Sequence, residues 1–258
     1  LLSQKQENDK VKTLKEGFKP LLIPILITVA LIFPANFSTA AIVFLVSLIL
    51  LFVGQVRFLH IFLFVIIILT FGITFIFVAS NYMQHSRVAT WKNRIEHFFN
   101  QDQIEESANF QANQAKIAIA TAGIMGKGPG NSVQKNILPH PYSDFIFAII
   151  VEEYGLIGAI LLIGFYLILL YRAIIIVKKS TGYFASFLTI GLTLLIIMQA
   201  FVNIGVAINL FPVTGQTLPL ISMGGTSLIF SSAAIGMILS VSKSVNQDKY
   251  DNKSKVNT

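Results

Sequence analysis

From position 145 to 177 the chain reads FIFAIIVEEYGLIGAILLIGFYLILLYRAIIIV, with Glu152, Glu153 and Arg172 as its only charged residues. An apolar run of this length is long enough to cross a bilayer, because ~20 residues at 1.5 Å each cover the hydrocarbon layer. Apolar stretches at 21–33, 37–54, 58–79, 183–210 and 218–241 repeat the pattern. Backbone polar groups in lipid must be satisfied internally, so each stretch is read as a helix. The predicted fold is therefore all-α, a polytopic helical membrane protein with about six transmembrane helices. The first stretch is short and contains Pro24, so it is expected to kink or to lie partly in the interface. Composition agrees: 54% hydrophobic, 12% charged and a mean hydropathy of +0.73 exclude an ordinary soluble domain. The absence of cysteine excludes disulfides, thiolate metal sites and a thiol nucleophile.

In such a chain the formal net charge of +7 speaks first to topology, and no nucleic-acid partner is implied. Basic residues concentrate on alternate segments: Lys5, Lys10, Lys12, Lys15 and Lys19, then Arg57, then Arg172, Lys178 and Lys179, then the tail. The positive-inside rule puts these segments in the cytoplasm, with both termini, and places the long loop outside. The expected division is a cytoplasmic segment 1–19, transmembrane helices 20–79, an extracytoplasmic loop 80–142, transmembrane helices 143–242 and a cytoplasmic tail 243–258. No cleavable signal sequence is recognisable at the N-terminus. Within the loop, HSRVATWKNRIEHFF spaces Trp91, Ile95, Phe98 and Phe99 as an interfacial amphipathic helix would, and 110–125 is a second such candidate. Both also read as solvated loop with helical propensity.

The polar chemistry gathers at 126–158, GKGPGNSVQKNILPHPYSDFIFAIIVEEYGLIG. Gly126, Gly128 and Gly130 let backbone N–H groups come close to a ligand, and Lys127 and Lys135 add two cations, so this loop suits an anion. It lacks the GxxxxGK[ST] spacing of a nucleotide loop and reads equally as a flexible connector. Ser143 or Asp144 at a helix start reads, taken alone, as a cap or as a catalyst. Glu152 and Glu153 lie about 12 to 14 Å further along a helix, at a depth where carboxylates are paired, protonated or functional. Eight residues from Asp144, Glu152 is turned by about 80° and is expected to share its cavity, whereas Glu153 is turned by about 180°.

A second polar region follows. Gln199 and Asn203, four apart, share a helix face that should turn inward or bond a neighbouring helix. AINLFPVTGQTLPLISMGGTSLIF then carries Pro212, Gly215, Pro219, Gly224 and Gly225 where regular helix would otherwise continue. Irregular backbone at membrane depth needs protein or a wet cavity around it. Gly224, Gly225, Thr226 and Ser227 open the last helix, and its N-terminus could help hold an anion; a small-residue packing seam is the other reading.

The runs GKGPGNSVQKNILP, SDFIFAIIVEEYGLIG and FPVTGQTLPLISMGGTS resemble the signature blocks of the SEDS family (shape, elongation, division and sporulation), and the likeness covers roughly 24–242. GPGNSVQK is closer to the family's cell-division branch than to its elongation branch. Two departures stand out: PHPYSDF where PEAHTDF is usual, and PANFSTA where a PDLGTA-like run is common, which puts Asn36 at a frequent aspartate position. The family has about ten transmembrane helices, so four N-terminal ones are expected to be missing here. The resemblance implies a bacterial cell-membrane peptidoglycan glycosyltransferase that polymerises lipid II with inversion, using an undecaprenyl-pyrophosphate-linked donor. It implies Asp144 as catalytic base. Candidate substrate contacts are Lys127, Gly128, Ser132, Gln134, Lys135, Glu152, Asn203, Thr214, Gly224, Gly225, Thr226 and Ser227. A divalent cation such as Mg could bridge pyrophosphate and carboxylate, although no ligand cluster declares it. Implied partners are lipid II, membrane lipids, a penicillin-binding-protein transpeptidase and other divisome proteins. The rival readings are a lipid II transporter and a non-catalytic scaffold that recruits the transpeptidase.

Overall fold

A computed structural model describes residues 1–8, 11–82, 106–138 and 141–256. Its described residues contain helices and turns but no strand, as the apolar pattern requires. The helices are α1 (Leu2–Glu7), α2 (Lys19–Ile32), α3 (Phe37–Val53), α4 (Phe58–Tyr82), α5 (Glu106–Thr121), α6 (Ile146–Lys179), α7 (Tyr183–Ala207) and α8 (Gly225–Val256). Among the described residues, α6, α7 and the Gly225–Val245 part of α8 are long and apolar enough to cross a membrane. The proposed interfacial helix around Trp91 lies outside the described residues, whereas much of the second candidate, 110–125, falls in α5.

The helix ends explain two sequence features. Pro24 sits inside α2, which continues through it to Ile32. Asn36 caps α3, its Oδ1 accepting from the Thr39 N–H at 3.1 Å. Asparagine and aspartate cap about equally well, so the departure at PANFSTA leaves this local job intact. Along α3 and α4, Ser47, Thr70 and Thr74 donate to the carbonyls of Val43, Ile66 and Thr70, which satisfies hydroxyls that lipid could not.

The chain forms two compact units. One comprises Leu1–Phe62, Phe165–Met198 and Thr226–Thr258. Here α2 packs on α3, and α7 approaches α3 closely enough that a Cβ on Gly191 would lie 3.2 Å from Leu50. Small buried residues such as Ala40, Ala173 and Ala234 permit such close packing, which in lipid replaces the hydrophobic drive between helices.

The other unit, Leu63–Gly164 and Gln199–Gly225, holds the polar chemistry. In it α5 touches a 3-10 turn at Gln134–Asn136. The end of α7 is closed by Phe211, whose ring packs where a Gly205 side chain would stand, 2.4 Å from its Cβ position. The chain from 208 to 224 is then irregular, so the apolar stretches 183–210 and 218–241 correspond to helices that end at Ala207 and begin at Gly225.

Helix α6 is not the continuous rod that its hydropathy suggests. It breaks at Gly155, which adopts φ 67°, ψ −161°. The amides of Leu156 and Ile157, which would bond Glu152 and Glu153 in a regular helix, bond the carbonyls of Gly123 and Ile124 at 3.1 and 3.3 Å. The carbonyls of Glu152 and Glu153 accept instead from Lys127 and Gly128, both at 2.9 Å. The glycine loop thus enters the helix ladder and takes over two of its bonds. Only glycine fits on either side: a Cβ on Gly155 would lie 2.2 Å from the Ile124 carbonyl oxygen, and one on Gly126 2.3 Å from that of Glu153.

Candidate active site

The loop that enters α6 is held by one side chain. Glu152 is fully buried, and its carboxylate accepts four hydrogen bonds. Oε1 takes Lys127 Nζ at 2.6 Å and the Val133 N–H at 3.2 Å; Oε2 takes Ser132 Oγ at 2.5 Å and the Gln134 N–H at 3.2 Å. Both oxygens are saturated with donors, which is how a buried carboxylate becomes tolerable. The loop is a closed structure, not the flexible connector its glycines allow.

The expected cavity shared by Asp144 and Glu152 is therefore corrected on the Glu152 side, which faces the loop. Ser132 and Gln134 are likewise buried and engaged with it, although Gln134 Oε1 has no partner among the described residues. Lys127 keeps a third of its side chain exposed beyond its pair with Glu152. Gly128 spends its N–H on Glu153. Lys135 is partly exposed, its Nζ donating to the Gly130 carbonyl.

Asp144 precedes α6. Its Oδ1 accepts from Ser143 Oγ at 2.8 Å, and no hydrogen bond reaches Oδ2 among the described residues. No helix-start N–H donates to either side chain, so neither Ser143 nor Asp144 caps α6. Gly215 faces Asp144: a Cβ there would stand 3.6 Å from Oδ2, with no other atom of the described residues within 4 Å. Among the described residues Asp144 thus has one carboxylate oxygen committed and one without a hydrogen bond beside a bare Cα.

The main chain around Asp144 is bonded from the other end of the unit. Met223 N–H donates to the Tyr142 carbonyl at 2.8 Å, and Ser222 Oγ to that of Ser143 at 2.6 Å. Asn203 Nδ2 donates to the carbonyls of Asp144 at 2.9 Å and Gln216 at 2.6 Å. Asn203 is buried, so it serves the framework and offers a ligand no surface. Gln199, on the same face, donates to Thr217 Oγ1 at 3.2 Å. Thr214 Oγ1 and Asn203 Oδ1 are buried without a hydrogen-bond partner among the described residues. Gly224 and Gly225 close this segment, whereas Thr226 and Ser227 belong to α8 in the other unit. Ser222 is the residue that sequence reasoning missed; a serine within LISMGG carries no signal of its own. Among the described residues no three His, Asp or Glu side chains gather as a metal site.

An all-helical, multi-pass membrane protein with a buried carboxylate hub and a half-free aspartate at a helix start is the class this fold defines. A family model described as cell cycle protein, covering FtsW, RodA and SpoVE, matches residues 1–247, and the chain belongs to that family. It is 34% identical over 243 residues to a probable peptidoglycan glycosyltransferase FtsW of Coxiella burnetii, covering 92% of this chain and 63% of that protein. It is 34% identical over 244 residues to the stage V sporulation protein E of Bacillus subtilis, covering 94% of this chain and 64% of the relative. The chain thus spans less than two thirds of the length of these curated relatives. Among solved structures, one described as the structural coordination of polymerization and crosslinking by a peptidoglycan synthase complex aligns with TM-score 0.71 and 24% identity, over 95% of this chain and 67% of that one. A point mutant of the Thermus thermophilus rod shape determining protein RodA aligns with TM-score 0.59 and 20% identity, over 94% of this chain and 62% of that one. These likenesses support the shared fold, and the expected SEDS membership is met.

Proposed function

We propose that this chain is the catalytic part of a division-type peptidoglycan glycosyltransferase that polymerises lipid II, with Asp144 as general base. The observation that carries the reading is the state of Asp144: Oδ2 free, Oδ1 held by Ser143, and the backbone bonded at three successive carbonyls. A base must reach the proton it removes, and must be held there. The acceptor sugar's 4-hydroxyl attacks the anomeric carbon of the α-linked donor and its proton passes to Oδ2. The bond from that carbon to the pyrophosphate oxygen breaks, undecaprenyl pyrophosphate leaves, and a β-1,4 bond forms with inversion. Lys135 and the exposed part of Lys127 supply positive charge for the leaving pyrophosphate. The names of the FtsW relatives support the activity, and the fold shared with a synthase complex that coordinates polymerization and crosslinking supports a crosslinking transpeptidase as partner. Both termini are cytoplasmic and the glycine loop faces outward, following the basic residues.

Asp144→Asn in the full-length protein, assayed with its transpeptidase partner, tests this. Polymerisation should fall by about 10² to 10⁴ with lipid II binding retained. Normal glycan chains from this variant would end the assignment. Protein-dependent lipid II translocation into proteoliposomes, with no glycan formed even by the wild type, would turn the reading to a transporter.

A further inference from the structure

Three consecutive carbonyls, those of Tyr142, Ser143 and Asp144, all accept from the stretch that follows helix α7 or from its last turns. Ser222 is placed by a turn with a strained member: Leu220 sits at φ 66°, a left-handed conformation that a bulky aliphatic residue rarely adopts. Such strain persists where surrounding contacts over-determine it. Here they do, because Ser222 Oγ accepts the Leu218 N–H at 2.7 Å and donates its own hydrogen to Ser143. Asn203 is just as fully used, since its amide nitrogen has two hydrogens and each is bonded to a different segment. Beside it the same stretch presents Gly215, also left-handed at φ 67°, with Asp144 Oδ2 the one atom among the described residues within 4 Å of its missing side chain.

We propose that Asn203 near the end of α7 and the stretch 212–224 together position Asp144: Ser222 and Asn203 fix its main chain with Oδ2 beside Gly215, and Gly215, by having no side chain, keeps that side of Oδ2 open for the acceptor hydroxyl. This rests on Asp144 being the base. An attacking oxygen must come within about 2.6–3.2 Å of Oδ2. A methyl group 3.6 Å from that oxygen leaves no room for an attacking oxygen on that side. Ser222 and Asn203 touch no reacting atom, so they act through Asp144.

The test uses the full-length protein with its transpeptidase partner, and measures lipid II polymerisation together with carbodiimide labelling of Asp144, read by peptide mass. Ser222→Ala should lower kcat by roughly ten- to a hundredfold while KM for lipid II stays within about twofold, as expected for misplaced chemistry with binding kept. Ser222→Thr keeps the hydroxyl and should recover most of the loss. Gly215→Ala should lower kcat similarly and slow labelling of Asp144 several-fold. Wild-type kcat in Ser222→Ala, or wild-type labelling in Gly215→Ala, overturns the proposal. If Ser222→Ala does not fold, Gly215→Ala decides once its own folding is confirmed, since its methyl meets Asp144 Oδ2 at 3.6 Å while its left-handed φ of 67° strains an alanine; if neither folds, Ser222→Thr with less than half of wild-type polymerisation overturns the proposal. If Asp144→Asn polymerises normally, the base reading fails by itself. Slowed labelling in Gly215→Ala then still supports the geometry, and unchanged labelling still overturns it.

Discussion

Glu152→Gln tests the hub that joins the glycine loop to α6. The substitution keeps size and shape but turns one acceptor oxygen into an NH₂ group. Its best orientation leaves the oxygen facing Lys127 and Val133, so the nitrogen faces Ser132 and Gln134. The Ser132 hydroxyl can rotate to accept, but the Gln134 N–H is then left buried against another donor. An orphaned buried donor costs about 1–3 kcal/mol, and the remaining bonds lose roughly 1 kcal/mol each on exchanging a charged acceptor for a neutral one. The Lys127 share is discounted because its side chain is one third exposed and screened. The expected loss is therefore about 2–4 kcal/mol, falling on the loop and not on the whole chain. Hydrogen exchange at the amides of Lys127, Gly128, Val133 and Gln134 should speed up roughly 30- to 900-fold at 1.36 kcal/mol per decade. Glu153→Gln is the control, since that carboxylate has no hydrogen bond or ion pair among the described residues and only its backbone carbonyl is used. Unchanged exchange in folded Glu152→Gln protein would refute the hub.

Gly155→Ala should expel the loop from α6, because its Cβ would lie 2.2 Å from the Ile124 oxygen; loss of protection at Lys127 and Gly128 with protection kept at Leu156 and Ile157, now bonded within the helix, would show it, and an unchanged pattern would contradict it. Lys135→Ala should raise KM for the lipid-linked donor with the fold intact, and Lys135→Arg should restore part of it, because charge is kept with altered geometry; equal donor use in the alanine variant would return Lys135 to a loop-stabilising role. Cysteine at Asn131, which is exposed, should react with an impermeant reagent in intact cells, while cysteine at Ser180 should not; the reverse pattern would invert the proposed orientation.

The helices were legible because hydropathy over ~20 residues is a local property. Apolar runs at 37–54 and 183–210 became α3 and α7 with ends shifted by a few residues. The break at Gly155 was not legible, since the apolar run continues on both sides of EEYG and glycine in a membrane helix ordinarily serves packing. Its one available signal was the spacing of Gly126 and Gly128 before two carboxylates, which says that backbone comes close but not to what. The polar residues share a feature that sequence alone does not carry. Ser132, Gln134, Glu152 and Asn203 were named as candidate substrate contacts; in the fold the Glu152 carboxylate takes the Ser132 hydroxyl and the Gln134 N–H, and Asn203 donates to the carbonyls of Asp144 and Gln216. Sequence shows that such a group needs a partner; only the fold says whether the partner is a ligand or the chain itself.

The exchange of bonds at Gly155 bears on how this region can vary among descendants of one gene. Every bond in the exchange belongs to the main chain, so the side chains riding on the inserted segment are released from duty: Ile124 and Met125 are 68% and 80% exposed. Point substitutions there should drift freely, within whatever lipid or solvent demands. A residue gained or lost is another matter. It would slide the amides of Lys127 and Gly128 past the carbonyls they serve and carry Lys127 away from Glu152, so positions 124 and 125 can change their letters while the stretch from Gly123 to Gly128 keeps its length, its glycines and its lysine.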